Sequence, residues 1–337
     1  MQEKAPEIKF VPFERFAVKT EQKENPRQMP YLSYSLAMPD ENTRNIINNE
    51  IRKDLDQLFK QSSMDKILIE TRPMRQFLKT AWQRDSYLYF NGTYFSWRWV
   101  DTKGQSRPER ESFVLLMAGA KSYSRDKSLE SIIKRTNTDT NEAILAMGEG
   151  GLYFPDHDNK TLFVSESIVS EGNPFSKEET DNKIKEMHKK IFGEDIQVEV
   201  LPSPDGTPHM DTHFSVIPNT KKALIENGYY EKIKNSGKLK NLEELGYEPI
   251  QIPPSSINCP LNILYLENSS GKICAYLHPD TPSFVKDTLK NNKIGVYEMS
   301  EFLAGVVDNN EGGMRCMTNE LNSKDPKFLN KIGFNEK

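Results

Sequence analysis

Asn309-Asn310-Glu311-Gly312-Gly313-Met314-Arg315-Cys316-Met317-Thr318-Asn319-Glu320-Leu321 lies near the end of this 337-residue chain. A paired glycine and an arginine precede the cysteine, and turn-favouring polar residues follow it. A thiol is a strong nucleophile only as the thiolate, and free cysteine ionises near pH ~8.5. Cations and backbone N–H donors close to the sulfur lower that value. Gly312 and Gly313 carry no Cβ, so the backbone there can approach a bound group closely. Arg315 either lends positive potential to the thiol or points away from it. Taken alone, Cys316 reads as a small buried residue in a turn. Its partners, if it has any, must come from elsewhere in the chain.

Hydrophobic residues make up 36% of the chain and charged residues 28%, a balance that fits a globular protein and excludes a disordered one. Lys and Arg number 45 against 49 Asp and Glu, a net charge of −4, so nucleic acid is not expected as a partner. No apolar run approaches the ~18 residues that cross a bilayer, so no membrane partner is expected. Met1 to Pro6 lack the apolar core of a secretory signal, which points to a cytoplasmic setting, with non-classical export left open. Cys259, Cys274 and Cys316 form neither a paired framework nor a C-x-x-C metal pattern. Neither a metal nor another cofactor is expected.

Residues 1–30 are rich in Lys, Glu, Gln and Pro and read as a loosely ordered lead-in. Tyr31 to Met38 alternates as a half-buried strand does, and Pro39 to Thr43 then opens a helix. Ile46, Ile47, Ile51, Leu55, Leu58 and Phe59 give that helix its apolar stripe. Lys66 to Glu70 is a short strand, and Tyr87 to Val100 is β-prone with a hairpin signal at Asn91-Gly92.

From there a unit recurs, in which a short apolar strand leads through a polar or glycine-rich loop into a strand pair and a helix. Ala143 to Met147 leads to Glu149-Gly150-Gly151, a hairpin around His157 to Lys160, and a helix over Lys177 to Phe192. Ile196 to Leu201 leads to His209-Met210-Asp211, a strand from Phe214 to Ile217, and a helix from Lys221 to Lys234. Pro249 to Ile252 leads to Asn258, strands Asn262 to Leu266 and Lys272 to Leu277, and a helix from Pro282 to Lys290. Lys293 to Tyr297 leads to Phe302 to Val307 and the Cys316 loop. With the segment from Lys66 to Val100 this makes about five units. No low-complexity linker interrupts them, so one closed domain is expected over residues 31–325, with a tail at 326–337.

Each polar motif is weak by itself. Trp82-Gln83-Arg84-Asp85 could be a salt-bridged strand end, and Glu149-Gly150-Gly151 a turn with a solvated acid. His209 and Asp211, two apart at the expected start of a strand, would point to the same side. His213 continues that face and is a plausible decoy.

Taken together and in order, Arg84-Asp85, Glu149-Gly150-Gly151, His209-Met210-Asp211-Thr212 and Gly313-Met314-Arg315-Cys316-Met317-Thr318 resemble the motifs of the pentein guanidine-modifying enzymes, most closely arginine deiminases. The set spans most of the chain. The resemblance implies an α/β fold, a five-bladed propeller with pseudo-fivefold symmetry and the site in its central channel. It also implies that Cys316 is the nucleophile, His209 the proton donor and acceptor, and Glu149 the residue that orients His209. Asp85 and Asp211 would grip the guanidinium, whose planar N–H fork suits bidentate carboxylates. Arg110, in Arg107-Pro108-Glu109-Arg110-Glu111, and Arg315 are the candidates for a substrate carboxylate. Two departures from the arginine deiminase pattern stand out. Fewer residues precede Asp85, and Leu152 replaces the acid usual after Glu-Gly-Gly.

The expected activity is hydrolysis of a guanidino group on arginine or an arginine derivative, through a covalent thiouronium and with release of ammonia. The expected partner is a small guanidino compound, or peptidyl arginine. An amidinotransferase would use the same intermediate and hand it to an amine, and a protein-arginine deiminase would need a more open site. The same fold also serves as a non-catalytic binding module, which should carry a degraded catalytic set. Trp97 and Trp99 read as strand packing, Lys232 to Lys240 as solvated surface, and Cys259 and Cys274 as core residues in apolar strands.

Overall fold

Thr161–Ser165 is buried at every residue, and a strand with no exposed face needs hydrogen-bonding neighbours on both edges. One neighbour is Tyr153–Asp156, antiparallel, with Thr161 opposite Asp156. The turn between them is held by Asp156, whose carboxylate accepts from the backbone N–H of Asp158 at 3.1 Å and from the Asn159 amide at 2.8 Å. The other neighbour is Gln197–Leu201, parallel, with Thr161 opposite Gln197. A parallel partner requires a crossover, supplied by the helix Lys177–Phe192. Ser176 caps its start by accepting from Glu179 N–H at 3.3 Å, and Gly193 ends it at φ +120°.

The computed structural model describes residues 8–9, 17–19, 31–34, 41–64, 68–71, 87–91, 93–96, 99–101, 106–107, 145, 150–169, 175–268, 270–308 and 312–321. Within them the same unit returns twice in sequence order. Phe214–Val216 pairs antiparallel with Lys222–Glu226, which pairs parallel with Glu248–Ile252 after the helices Asn227–Asn235 and Lys238–Glu244. Leu264–Glu267 pairs antiparallel with Ile273–Leu277, which pairs parallel with Gly295–Glu298 after the helix Ser283–Asn291. A fourth sheet of the same pattern is assembled from both ends of the chain. Thr318–Leu321 pairs antiparallel with Tyr31–Tyr34, which pairs parallel with Leu68–Thr71 after the helix Glu41–Gln61. Two antiparallel sheets complete the described strands, one ordered Ala17–Lys19, Thr93–Ser96, Tyr87–Phe90 and the other Ile8–Lys9, Trp99–Asp101, Ser106–Arg107. The architecture is α/β with mixed sheets. The lead-in 1–30 thus contributes strands at Ile8–Lys9 and Ala17–Lys19.

The helix Glu41–Gln61 buries Ile51, Leu55, Leu58 and Phe59 against Leu264, Leu266, Tyr276, Met299, Leu303, Val307 and Met314. Ile46, expected on that stripe, is 59% exposed. Met314 is fully buried in this cluster, worth roughly 2 kcal/mol of transfer free energy. It pins the loop that carries Cys316 to a core shared by the N-terminal helix and the C-terminal strands.

Two local expectations are corrected. Residues 222–226, expected to begin a helix, form the central strand of their sheet. Ala223, Leu224 and Ile225 are all fully buried, a run that periodicity alone does not separate from a helix. The Phe302–Val307 stretch lies in the helix Glu301–Asp308. Met210–Thr212 is a single 3-10 turn ahead of the Phe214–Val216 strand, so strand alternation does not orient His209 and Asp211. The strand expected at 143–147 falls, apart from the buried Leu145, outside the described residues.

Candidate active site

Cys316 sits on one helical turn, Met314–Met317, immediately before the closing strand Thr318–Leu321. It is 5% exposed. Asn262, from the loop before the Leu264–Glu267 strand, meets it with both ends of its amide. The Cys316 backbone N–H donates to Asn262 Oδ1 at 2.9 Å, and Asn262 Nδ2 donates to Cys316 Sγ at 2.9 Å. The glycine pair explains how this fits. A Cβ on Gly313 would lie 2.6 Å from both Cβ and Oδ1 of Asn262, so the close approach anticipated for the Gly-Gly turn is to this side chain.

Asp211 comes from the 3-10 turn Met210–Thr212. That turn is fastened at several points. Thr212 Oγ1 donates to His209 O at 2.7 Å, His209 N donates to Thr207 Oγ1 at 3.1 Å, and Ser165 Oγ donates to Pro208 O at 3.0 Å. Leu261 N donates to Thr212 O at 3.1 Å, tying the turn to the loop that presents Asn262. Asp211 is fully buried, and its Oδ2 lies 4.0 Å from Cys316 Sγ. The same oxygen accepts from the Arg315 guanidinium, while Oδ1 has no hydrogen-bond partner among the described residues. A buried carboxylate oxygen without a donor is costly, and such atoms are rare in folded proteins.

Arg315 is also buried, at 5% exposure, with its guanidinium carbon 4.9 Å from the centre of the Phe154 ring and Nη2 at 3.5 Å from Tyr153 O. The guanidinium therefore lies between a carboxylate and an aromatic face, both favourable for a planar cation. Asp211 and Arg315, both expected to contact a ligand, contact each other.

His209 is half-buried, directly ahead of Met210–Thr212. The 3-10 turn Gly150–Leu152 packs beside it, and a Cβ on Gly151 would lie 2.5 Å from Cγ and Nδ1 of the imidazole. The Glu-Gly-Gly motif thus reaches His209 across 58 residues of sequence, through the backbone of its last glycine. Asp85, Arg110 and Glu149 lie outside the described residues.

The decoys separate on burial and partners. His213 faces Glu226 at 3.8 Å and the edge of Tyr229, and burial lowers its pKa. Cys274 is fully buried in its strand, and burial raises its thiol pKa. Cys259 is half-buried in the loop ahead of Asn262, not in a strand, and burial followed by the charges of Asp211 and Asp308 pushes its thiol up to about 12. Within the run expected to be solvated surface, Lys238 is 16% exposed and pairs with Asp181, with Glu199 at 3.5 Å. Asn262 and Phe154 escaped the sequence reading. The only local signal for Asn262 is its place in the turn-rich stretch Asn258-Cys259-Pro260-Leu261-Asn262, and Phe154 looks like any strand aromatic.

No family model and no curated protein matches the sequence. Solved structures do match its fold. Agmatine deiminase of C. jejuni, solved with substrate bound, superposes with a TM-score of 0.51 at 13% identity, covering 96% of this chain and 98% of its own. A dimethylarginine dimethylaminohydrolase adduct gives 0.51 at 11% identity, covering 87% of this chain and all of its own. A putative agmatine deiminase gives 0.50 at 14% identity, covering 95% and 100%. The chain shares the pentein fold. At these identities the likeness speaks for architecture, and the near-complete coverage of both partners means that it extends over the whole unit.

Proposed function

We propose that this chain is a guanidino-group hydrolase, a deiminase acting on arginine or an arginine derivative, with Cys316 as its nucleophile. In this reading residues 31–325 form one five-bladed ring. Four sheets of one strand pattern, the last built from both chain ends, have the connectivity that such a ring needs. The observation that carries the functional reading is the pairing of a buried thiol with a buried carboxylate. Cys316 Sγ lies 4.0 Å from Asp211, whose Oδ1 is an unmatched acceptor among the described residues. A guanidinium N–H would satisfy that oxygen and bring its carbon to the sulfur. The solved proteins of the same fold are a deiminase and a dimethylaminohydrolase by name, which agrees with this assignment.

The chemistry then runs in two halves. The Cys316 thiolate adds to the guanidinium carbon, and the tetrahedral adduct collapses as its C–N bond breaks. His209 gives a proton to the departing nitrogen, which leaves as ammonia, and a thiouronium remains on sulfur. Water then adds to that carbon as His209 takes up one of its protons, the C–S bond breaks as the remaining hydroxyl proton passes to solvent, and a ureido product departs with the thiolate restored. By the same reading Asp85 is the second carboxylate of the grip, Glu149 holds His209 in its cationic form, and Arg110 meets a substrate carboxylate. Arg315, already matched to Asp211 and Phe154, sets the position of Asp211 and leaves Oδ1 for the ligand.

A screen of agmatine, arginine, methylated arginines and peptidyl arginine, reading ammonia and ureido product together, tests the proposal. Turnover of at least one compound, lost in Cys316→Ser, is the expected result. Absence of both products across the panel at high protein concentration overturns it in favour of a binding module. Transfer of the amidino group to an added amine would reassign the chain as an amidinotransferase.

A further inference from the structure

The backbone N–H of Cys316 can only donate, so the amide oxygen of Asn262 must face it, as it does at 2.9 Å. That fixes the orientation of the amide and leaves its N–H₂ against the sulfur, also at 2.9 Å. The sulfur is therefore the acceptor of this contact. A neutral thiol accepts weakly, whereas a thiolate accepts strongly, because hydrogen bonds to an ionised partner are roughly twice as strong as neutral ones.

Around this contact the packing leaves Asn262 little freedom. Asn262 is 4% exposed, Gly313 lies against its Cβ and Oδ1, and its Nδ2 is also 3.5 Å from the backbone carbonyl of Asp211. Asp211 Oδ2, 4.0 Å from the sulfur, repels a developing negative charge there, and the Nδ2 donor opposes that repulsion.

We infer that Asn262 is a positioning residue that holds Cys316 in place by its backbone and stabilises the sulfur as an anion through Nδ2, offsetting the carboxylate of Asp211. This rests on the proposed role of Cys316 as nucleophile, but its test does not require turnover. The two ends of the amide have separable jobs. Asn262→Asp keeps an acceptor for the Cys316 N–H and replaces the sulfur's donor by a negatively charged oxygen. Asn262→Ala removes both.

The experiment is the pH dependence of Cys316 alkylation by iodoacetamide, followed by mass spectrometry of the Cys316 peptide in wild type and both variants, with thermal melting in parallel. Asn262→Asp is expected to move the alkylation midpoint up by about two pH units and Asn262→Ala by about one, the size of one charge-assisted hydrogen bond. If Asn262 serves only to hold the loop, Asn262→Ala will lose melting temperature without moving the midpoint, and that result overturns the inference. An unmoved midpoint in Asn262→Asp overturns it as well, because a carboxylate placed against the sulfur must disfavour its anion. Should the alanine variant not fold, Asn262→Leu, which keeps the volume and has no donor, is measured instead, and an unmoved midpoint there overturns the inference. A shifted midpoint together with no ammonia from any guanidino compound would leave the Asn262 assignment standing and remove the hydrolase reading. The two failures are thus distinct.

Discussion

Arg315 and Asp211 form a buried ion pair directly beside the Cys316 sulfur, 104 residues apart in sequence. Their side chains are 6% and 0% exposed, so neither charge can fall back on water if the other is removed. The pair couples the stability of the site to its chemistry. It also means that an alteration at Asp211 will not read out on ligand binding alone.

Asp211→Asn is accordingly expected to lower stability by roughly 3 kcal/mol, the usual cost of removing one charge of a buried pair. The double variant Asp211→Asn/Arg315→Met should recover part of that loss, because the buried cation that faces the lost carboxylate is removed with it. Denaturant unfolding of the two single variants and the double variant gives the coupling energy. Additive losses would show that the two residues do not interact in solution.

Alkylation should be confined to Cys316. Burial pushes the Cys259 thiol up to about 12, and Cys274 is both fully buried and raised above its ordinary range by burial. A haloacetamidine, which carries a guanidinium-like head, should label Cys316 at neutral pH, and a turnover substrate should protect it. Preferential labelling of Cys259 or Cys274 in the folded protein contradicts the site assignment.

Gly151→Ala probes the approach of the Glu-Gly-Gly turn to His209. The new Cβ would meet the imidazole at 2.5 Å, which a rigid 3-10 turn cannot absorb without moving the ring. Turnover should fall by about tenfold or more, the effect of displacing a catalytic group by a fraction of an ångström. Circular dichroism should remain unchanged. A variant with full activity would mean that the imidazole has room to shift, and that its position is not set by this turn.

A separate pH effect should come from the core of the first repeated unit. His188 is buried beside Tyr153 and Phe192, with Nδ1–H donating to Ile184 O at 2.8 Å, and burial lowers its pKa from 6.5 to about 4. The folded state thus binds this proton less readily than the unfolded state does. Its contribution is complete above pH 6.5, declines as pH falls toward about 4, and amounts to about 3 kcal/mol over that window. Urea unfolding between pH 7 and 4 should show a steeper decline in wild type than in His188→Met. Parallel slopes would show that His188 is protonated in the folded protein.

Much of the fold can be read along the chain because its units are local. The Lys177–Phe192 helix, the hairpin around Asn159 and the Glu248–Ile252 strand each carry their own period, cap or turn residue within a few positions. The misreadings fall where local signals are ambiguous. Ala223-Leu224-Ile225 is apolar whether it becomes strand or helix, and only its place between two strands makes it a strand. Met210–Thr212 is a turn because the hydrogen bonds from Thr212 to His209 and from Leu261 to Thr212 outweigh the β preference of the flanking residues.

The candidate site divides in the same way. The sequence by itself determined the residue types and their order, since Cys316 after two glycines, His209-Met210-Asp211 and Glu149-Gly150-Gly151 are readable as short motifs. Only the tertiary structure decided that Asn262 grips Cys316 from both sides and that Arg315 pairs with Asp211 over Phe154. These contacts span 54 and 104 residues. No periodicity or local propensity extends that far, because a hydrogen bond between distant loops depends on how whole sheets pack. The strands set the loops side by side, and the unmade bonds of buried polar groups then select which side chains meet.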